Sequence, residues 1–213
     1  MRVDIFVDVV CPWCFIGKRR FEQALAMRPR LSVQTAWRPF QLNPDMPAEG
    51  MPTEEFFAAK FGSAGVKERQ QAVVGIGRTV GIDFAFDRIA RQPNTLDAHR
   101  LIRHALNRGR GDAMVEALFT AHFLKGRDIG DRTVLTQVAG ETGLDPREAG
   151  ALLESESETA TILGEEQEAR RIGISGVPCY IFDRQYAVAG AQEPEFFLAV
   201  FDRAPGGTAP PAA

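Results

Sequence analysis

Two cysteines spaced as Cys11-Pro12-Trp13-Cys14 constrain this chain more than any other feature. The 213 residues hold 3 cysteines, and random scatter at that density gives only about 0.03 pairs at this spacing. The pair falls where one periodicity gives way to another. Residues 2–10, Arg-Val-Asp-Ile-Phe-Val-Asp-Val-Val, are rich in β-branched side chains and read as a buried strand. From Pro12 to about Met27, the residues Phe15, Ile16, Phe21, Ala24 and Leu25 form an apolar stripe at helical spacing. Pro12 suits the first helical turn, where its missing N–H costs nothing, and Pro29 ends the element. Leu31 to Trp37 alternates again as a second strand. The opening of the chain is therefore a β-α-β unit with the cysteines at its first strand-to-helix junction.

Four prolines between residues 39 and 52 mark a long connection (Pro39, Pro44, Pro47, Pro52). From Thr53 to about Arg171 the pattern is helical almost throughout, enough for five to seven helices. Asp145-Pro146-Arg147-Glu148 carries a helix-start signature within that stretch. After Gly173 the period returns to two. Cys179–Phe182 reads as a strand, Asp183-Arg184-Gln185 as a turn and Tyr186–Ala189 as the hairpin partner, with Glu195 to Phe201 a short closing helix. Neither end can bury its apolar surface alone, so the strands of both ends must share one mixed sheet. The expectation is an α/β protein that resembles the thioredoxin fold, with residues 1–45 and 172–204 forming the discontinuous sheet domain. Residues 46–171 form a large all-helical insertion, and 205–213 a flexible tail.

Composition narrows the function. The net charge of −3 gives no field that would favour nucleic acid. No apolar run approaches the roughly 18 residues of a membrane span. Met1-Arg2-Val3-Asp4-Ile5-Phe6 enters the first strand without a charged leader or cleavage site, so a cytoplasmic protein is expected. An odd, small cysteine count argues against a disulfide scaffold. The pair is therefore read as chemistry.

Only the thiolate attacks a disulfide. Cys11, at the amino end of a helix, faces unpaired N–H groups and the positive end of the dipole, which stabilise an anion. Cys14, one turn further in, is placed to donate a hydrogen bond to that anion and later to displace whatever it captures. Exposure assigns the roles, Cys11 nucleophile and Cys14 resolving thiol. Lys18, Arg19 and Arg20 lie a turn or more away and add little. Asp8, three residues before Cys11, reads either as a proton relay for Cys14 or as a solvated strand-end residue. A zinc half-site is the structural alternative for the pair, completed by Cys179 with His99, His104 or His122. No second C-x-x-C exists, and His99 and His104 do not share a helix face, so no metal is expected. Each histidine alone reads as a packed or surface residue.

Gly173-Ile174-Ser175-Gly176-Val177-Pro178-Cys179 is the second constellation. A valine before proline is extended. If the Val177–Pro178 bond is cis, the Val177 backbone turns towards the cysteines and can pair with an extended substrate by strand addition. The plain alternative is a strand-initiating proline. Cys179 reads by default as a small buried hydrophobe and otherwise as an accessory thiol near the pair.

The residues Asp8 to Cys14 with Gly17, Trp37-Arg38-Pro39-Phe40-Gln41-Leu42-Asn43-Pro44, Asn94-Thr95-Leu96-Asp97-Ala98-His99-Arg100, Gly176-Val177-Pro178 and Gly190-Ala191-Gln192 together resemble the DsbA-like thioredoxin-fold oxidoreductases of the FrnE type. The resemblance spans nearly the whole chain. It implies a helical insertion, a redox-active Cys11–Cys14 pair, a cis Pro178 opposite it, and Val177 presenting its backbone. Relatives on this scaffold include 2-hydroxychromene-2-carboxylate isomerases and kappa-class glutathione transferases, which use a serine where this chain has Cys11. Cys179 departs from the aromatic or aliphatic residue expected after the proline. Trp13 stands where periplasmic DsbA has histidine, which implies a less oxidising pair.

Three readings follow. The first is a thiol–disulfide oxidoreductase acting on a disulfide-containing protein or small thiol, as monomer or homodimer, with no bound cofactor and with Trp13, Val177, Pro178 and Asn94 contacting substrate. The second is a glutathione-dependent isomerase or transferase for a small aromatic or polyketide-like substrate, glutathione being a co-substrate and Asn43 and Asn94 polar contacts. The third is a holdase or peptide-binding module using Phe56, Phe57 and Phe61, which at helical spacing read more naturally as core.

Overall fold

Alternation along the first strand decides the layering. In the computed structural model, which describes residues 1–62 and 66–203, β1 spans Arg2–Val7. Val3, Ile5 and Val7 point into the main apolar core, and Phe6 points into a smaller cluster on the other face. β1 runs parallel to β2 (Gln34–Pro39), with Ile5 opposite Trp37. It runs antiparallel to β5 (Cys179–Phe182), with Phe6 opposite Cys179, and β5 pairs with β6 (Tyr186–Ala189). The strand order is β2-β1-β5-β6, so both ends of the chain build one mixed sheet. β1 stops at Val7 rather than at residue 10 because the next residues turn, the Cys11 N–H donating to the Asp8 carbonyl at 3.0 Å.

α1 (Pro12–Ala26) follows that turn and packs against α9 (Pro194–Arg203). Gly17 on α1 permits the close approach of the helix to the sheet, since a Cβ there would meet the Tyr180 hydroxyl at 2.6 Å and Pro178 Cγ at 3.0 Å. Between the two halves of the sheet lie α2 (Thr53–Phe61), α3 (Val66–Thr79), α4 (Leu96–Leu106), α5 (Gly111–Phe119), α6 (Arg132–Glu141), α7 (Pro146–Glu154) and α8 (Thr159–Arg171). These make seven helices among the described residues, the upper end of the expected range. Asp145 caps α7, its carboxylate accepting the Arg147 N–H at 2.8 Å, with Pro146 at the first position.

The helical expectation fails between residues 80 and 95. There a glycine at positive φ (Gly81, +77°) ends α3, and the chain runs through a single short turn, Phe86–Arg88. The two-residue strand β4 (Arg91–Gln92) follows and pairs antiparallel with β3 (Met51–Pro52). Two-residue strands have no period to detect. α5 runs on into a π-helical turn, Thr120–Leu124. One continuous apolar cluster joins Val3, Ile5 and Phe15 to Leu101, Met114, Phe119 and Phe123, so the sheet and the helices share a core. Phe15 stacks on Phe119 with ring centroids 4.9 Å apart. The expected tail, 205–213, lies outside the described residues.

Candidate active site

Cys11 is the N-cap of α1, in extended conformation, with no side chain capping the helix and no acidic residue in its first turn. The positive end of the dipole is therefore left to the sulfur. Cys11 Sγ lies 3.6 Å from the Val177 carbonyl oxygen, and the Val177–Pro178 bond is cis. The sequence thus brings its two separated constellations into contact, as the resemblance implies. All three cysteines are free thiols.

Exposure does not separate the two roles, contrary to expectation. Cys11 is 4% exposed and Cys14 1%. What separates them is a cavity of about 310 Å³ that opens onto Cys11 and not onto Cys14. Burial raises the Cys14 pKa well above the ordinary thiol value, and its hydrogen bond to Cys11 and the charges of Cys11 and Asp8 add to the rise. Cys14 is thus held as a protonated donor beside Cys11.

The α1 cations do not reach the sulfurs. Lys18 is buried against Glu22, Asp112 and Glu116, Arg19 pairs with Glu22 and Glu116, and Arg20 with Glu193 and the Ala191 carbonyl. Burial opposes the charge of Lys18, and its carboxylate partners more than offset that, raising its pKa.

Asp8 is not a solvated strand-end residue. It is 0% exposed, one carboxyl oxygen accepts the Leu42 N–H at 2.7 Å, and the other, Oδ1, has no hydrogen-bond partner. His99 Nε2 stands 3.7 Å from that Oδ1, both side chains being 1% exposed. His122, from the π-helical turn, lines the cavity with Cys11. Burial lowers its pKa to about 4, against the opposing Asp8 charge and a backbone hydrogen bond at Arg127. Sequence reasoning treated each histidine singly and missed that His99 stands against Asp8 and that the Asp8 charge reaches His122. The available signal was a buried-type carboxyl at a strand end with histidines on apolar helices.

Trp13, 39% exposed, and Asn43 line the cavity, along with Phe56 and Phe57. Asn94 does not. Its amide donates to the Met46 carbonyl at 2.7 Å and its oxygen accepts from the Leu96 N–H, so it braces the loop instead. Phe56 and Phe57 face the cavity rather than an outer binding surface, and the Phe61 side chain lies outside the described residues. Cys179 is 6% exposed, packed with Phe6, Phe40, Ala169 and Ile174 on the other face of the sheet, and burial raises its pKa. It sits among apolar neighbours as the default reading has it. Among the described residues, no group of three or more His, Cys, Asp or Glu is arranged to hold a metal ion.

A cysteine pair at the cap of α1, set against the carbonyl that precedes a cis proline on a mixed sheet, is an arrangement of the thioredoxin fold. The chain belongs to the family described as the DSBA-like thioredoxin domain, whose model matches residues 2–202. It is similar over its whole length to a probable DsbA oxidoreductase from Streptomyces coelicolor, at 33% identity and a TM-score of 0.87, covering 93% of that chain. Similarity of fold extends to a 2-hydroxychromene-2-carboxylate isomerase (14% identity, TM-score 0.73, 95% of each chain). It extends also to the cytosolic disulfide reductase DsbM of Pseudomonas aeruginosa, solved with glutathione (19% identity, TM-score 0.67, 95% of this chain and 98% of that one). The uncharacterized protein YwbO of Bacillus subtilis is 26% identical over 95% of this chain and 96% of its own. Among the described residues, no helix is long and apolar enough to cross a membrane.

Proposed function

We propose that the protein exchanges dithiol for disulfide through Cys11 and Cys14. The observation that carries this reading is the contact of Cys11 Sγ with the Val177 carbonyl at 3.6 Å, Cys11 itself lining the cavity. Cys11 attacks one sulfur of a substrate disulfide, forming a mixed disulfide and expelling the other sulfur as a thiolate. Cys14 then loses its proton and attacks Cys11, closing the Cys11–Cys14 disulfide and releasing the second substrate thiol. The elevated pKa of Cys14 makes that proton the obstacle, and Asp8, buried beside it with a free oxygen, is the acceptor in this reading. Trp13 and the Val177 backbone border the substrate, glutathione is a candidate co-substrate, and the cytoplasm is the expected compartment. Insulin reduction and refolding of a scrambled substrate test the activity. Cys11→Ser is expected to abolish it and Cys14→Ser to accumulate mixed disulfides; undiminished turnover in Cys11→Ser refutes the mechanism.

The apolar cavity beside Cys11, with Asn43 in its wall, supports a second reading, a glutathione-dependent isomerase or transferase acting on a small substrate. Full activity of Cys14→Ala towards such a substrate favours it over disulfide exchange.

A further inference from the structure

The Cys11 cavity cannot serve as the route by which the resolving step loses its proton. A substrate bound to Cys11 occupies that cavity; neither Asp8 nor Cys14 lines it, and His122, which does and which feels the Asp8 charge, is kept neutral by burial. Asp8 Oδ1 is fully buried without a hydrogen-bond partner, and His99 Nε2 stands 3.7 Å from it, itself buried and without a partner. Two unsatisfied polar atoms facing each other in a core are costly to maintain as structure alone. A closer approach of a few tenths of an ångström makes them a hydrogen-bonded pair.

His99 also borders a second space. It lines a recess of about 10 Å³ together with Trp37, Pro39, Arg103 and Glu165, and this recess shares no lining residue with the Cys11 cavity. That volume is at the lower limit of the space one water needs. Glu165 Oε2 is buried there without a partner, while Oε1 is held by Arg38 and Arg103. The charged groups around His99 are thus Asp8 and, lining the recess with it, Arg103 and Glu165, to which Arg38 also bonds; His122 is the further titratable group that the Asp8 charge reaches.

We propose that His99 is a positioning residue for the resolving step, passing the proton that Asp8 takes from Cys14 out to the Glu165 recess, away from the substrate. The proposal rests on the Asp8 reading above. In atoms, Cys14 S–H gives its proton to Asp8 as the Cys14–Cys11 bond forms and the Cys11–substrate S–S bond breaks, its electron pair leaving on the substrate sulfur. Asp8 passes the proton to His99 Nε2, and the ring releases one from its other nitrogen at the recess. Asp8 is then ready for the next turnover.

The test is a single turnover of reduced protein with equimolar dithiodipyridine, which releases one chromogenic thiol on attack by Cys11 and a second on resolution by Cys14. His99→Gln is expected to leave the first release within twofold of wild type and to slow the second by about tenfold, less than the hundredfold or more of direct general acid–base catalysis because His99 acts through Asp8. The pH profile of the second release should change shape, whereas a loosened structure would lower the whole curve. Asp8→Asn slows the second release as well, and adding His99→Gln to it changes the rate by less than twofold. A second release within twofold of wild type in His99→Gln, or both releases slowed together, overturns the proposal. If Asp8→Asn alone slows resolution, the Asp8 reading stands and His99 falls; if neither variant does, both fall. Should His99→Gln fail to fold, Glu165→Gln is expected to slow only the second release, by about threefold. No change there likewise overturns the route.

Discussion

His122 ties the cavity wall to the pH dependence of stability, and the size of the effect follows from its burial. In the folded state its pKa is lowered from 6.5 to about 4, chiefly because the fully buried ring cannot be solvated as a cation. The folded protein therefore binds fewer protons than the unfolded chain between those two values. The stability associated with the neutral ring is intact above the unfolded pKa, and it is lost as pH falls towards the folded one. A gap of about 2.5 pH units at about 1.4 kcal/mol per unit is worth about 3 kcal/mol in all, of which about 2 kcal/mol is gone by pH 5. Replacing His122 with Gln removes the titration while keeping a polar side chain of similar size. Urea unfolding of wild type and His122→Gln at pH 7.5 and pH 5 measures the difference directly. Wild type should lose about 2 kcal/mol more than the variant over that interval. Equal losses, or a larger loss in the variant, would show that the ring is hydrated or already charged in the folded protein, and the burial argument would be wrong.

Gly17→Ala should destabilise the protein by about 1–3 kcal/mol in denaturant titration, because the new methyl meets the Tyr180 hydroxyl at 2.6 Å and forces α1 off the sheet. In a Cys11→Ser background, Asp8→Asn should lower the Cys14 pKa by removing a nearby negative charge, seen as faster alkylation of Cys14 between pH 8 and 9; a slower rate would contradict the electrostatic assignment. Cys179 should resist iodoacetamide in the native protein while Cys11 is labelled, as mass spectrometry would report. Cys179→Ala should leave the rate of disulfide exchange within twofold, since the thiol lies on the other face of the sheet.

The cysteine spacing, the strand–helix punctuation around it and the closing hairpin were legible because each is a local pattern, and Cys179–Phe182 and Tyr186–Ala189 form where the alternation places them. The Asp145 cap was equally local. The β3–β4 pair and the irregular run from residue 80 to 95 were not, since two-residue strands carry no periodicity and a helix stop at Gly81 needs a positive φ that the sequence only permits. Asn94 illustrates a different limit. Its polarity marked it for substrate, but a side-chain amide binds whatever the fold brings to it, and here that is the Met46 carbonyl and the Leu96 N–H.

By itself the sequence determined that a thiol pair caps a helix and that the two ends of the chain share one sheet, because dipoles, proline geometry and side-chain alternation act over a few residues. Tertiary structure alone decided which thiol opens to a cavity, that Asp8 is buried, and that His99 comes against it and His122 within reach of its charge from helices about 90 to 115 residues further along the chain. Burial and the meeting of distant side chains are properties of packing. No window of sequence contains them.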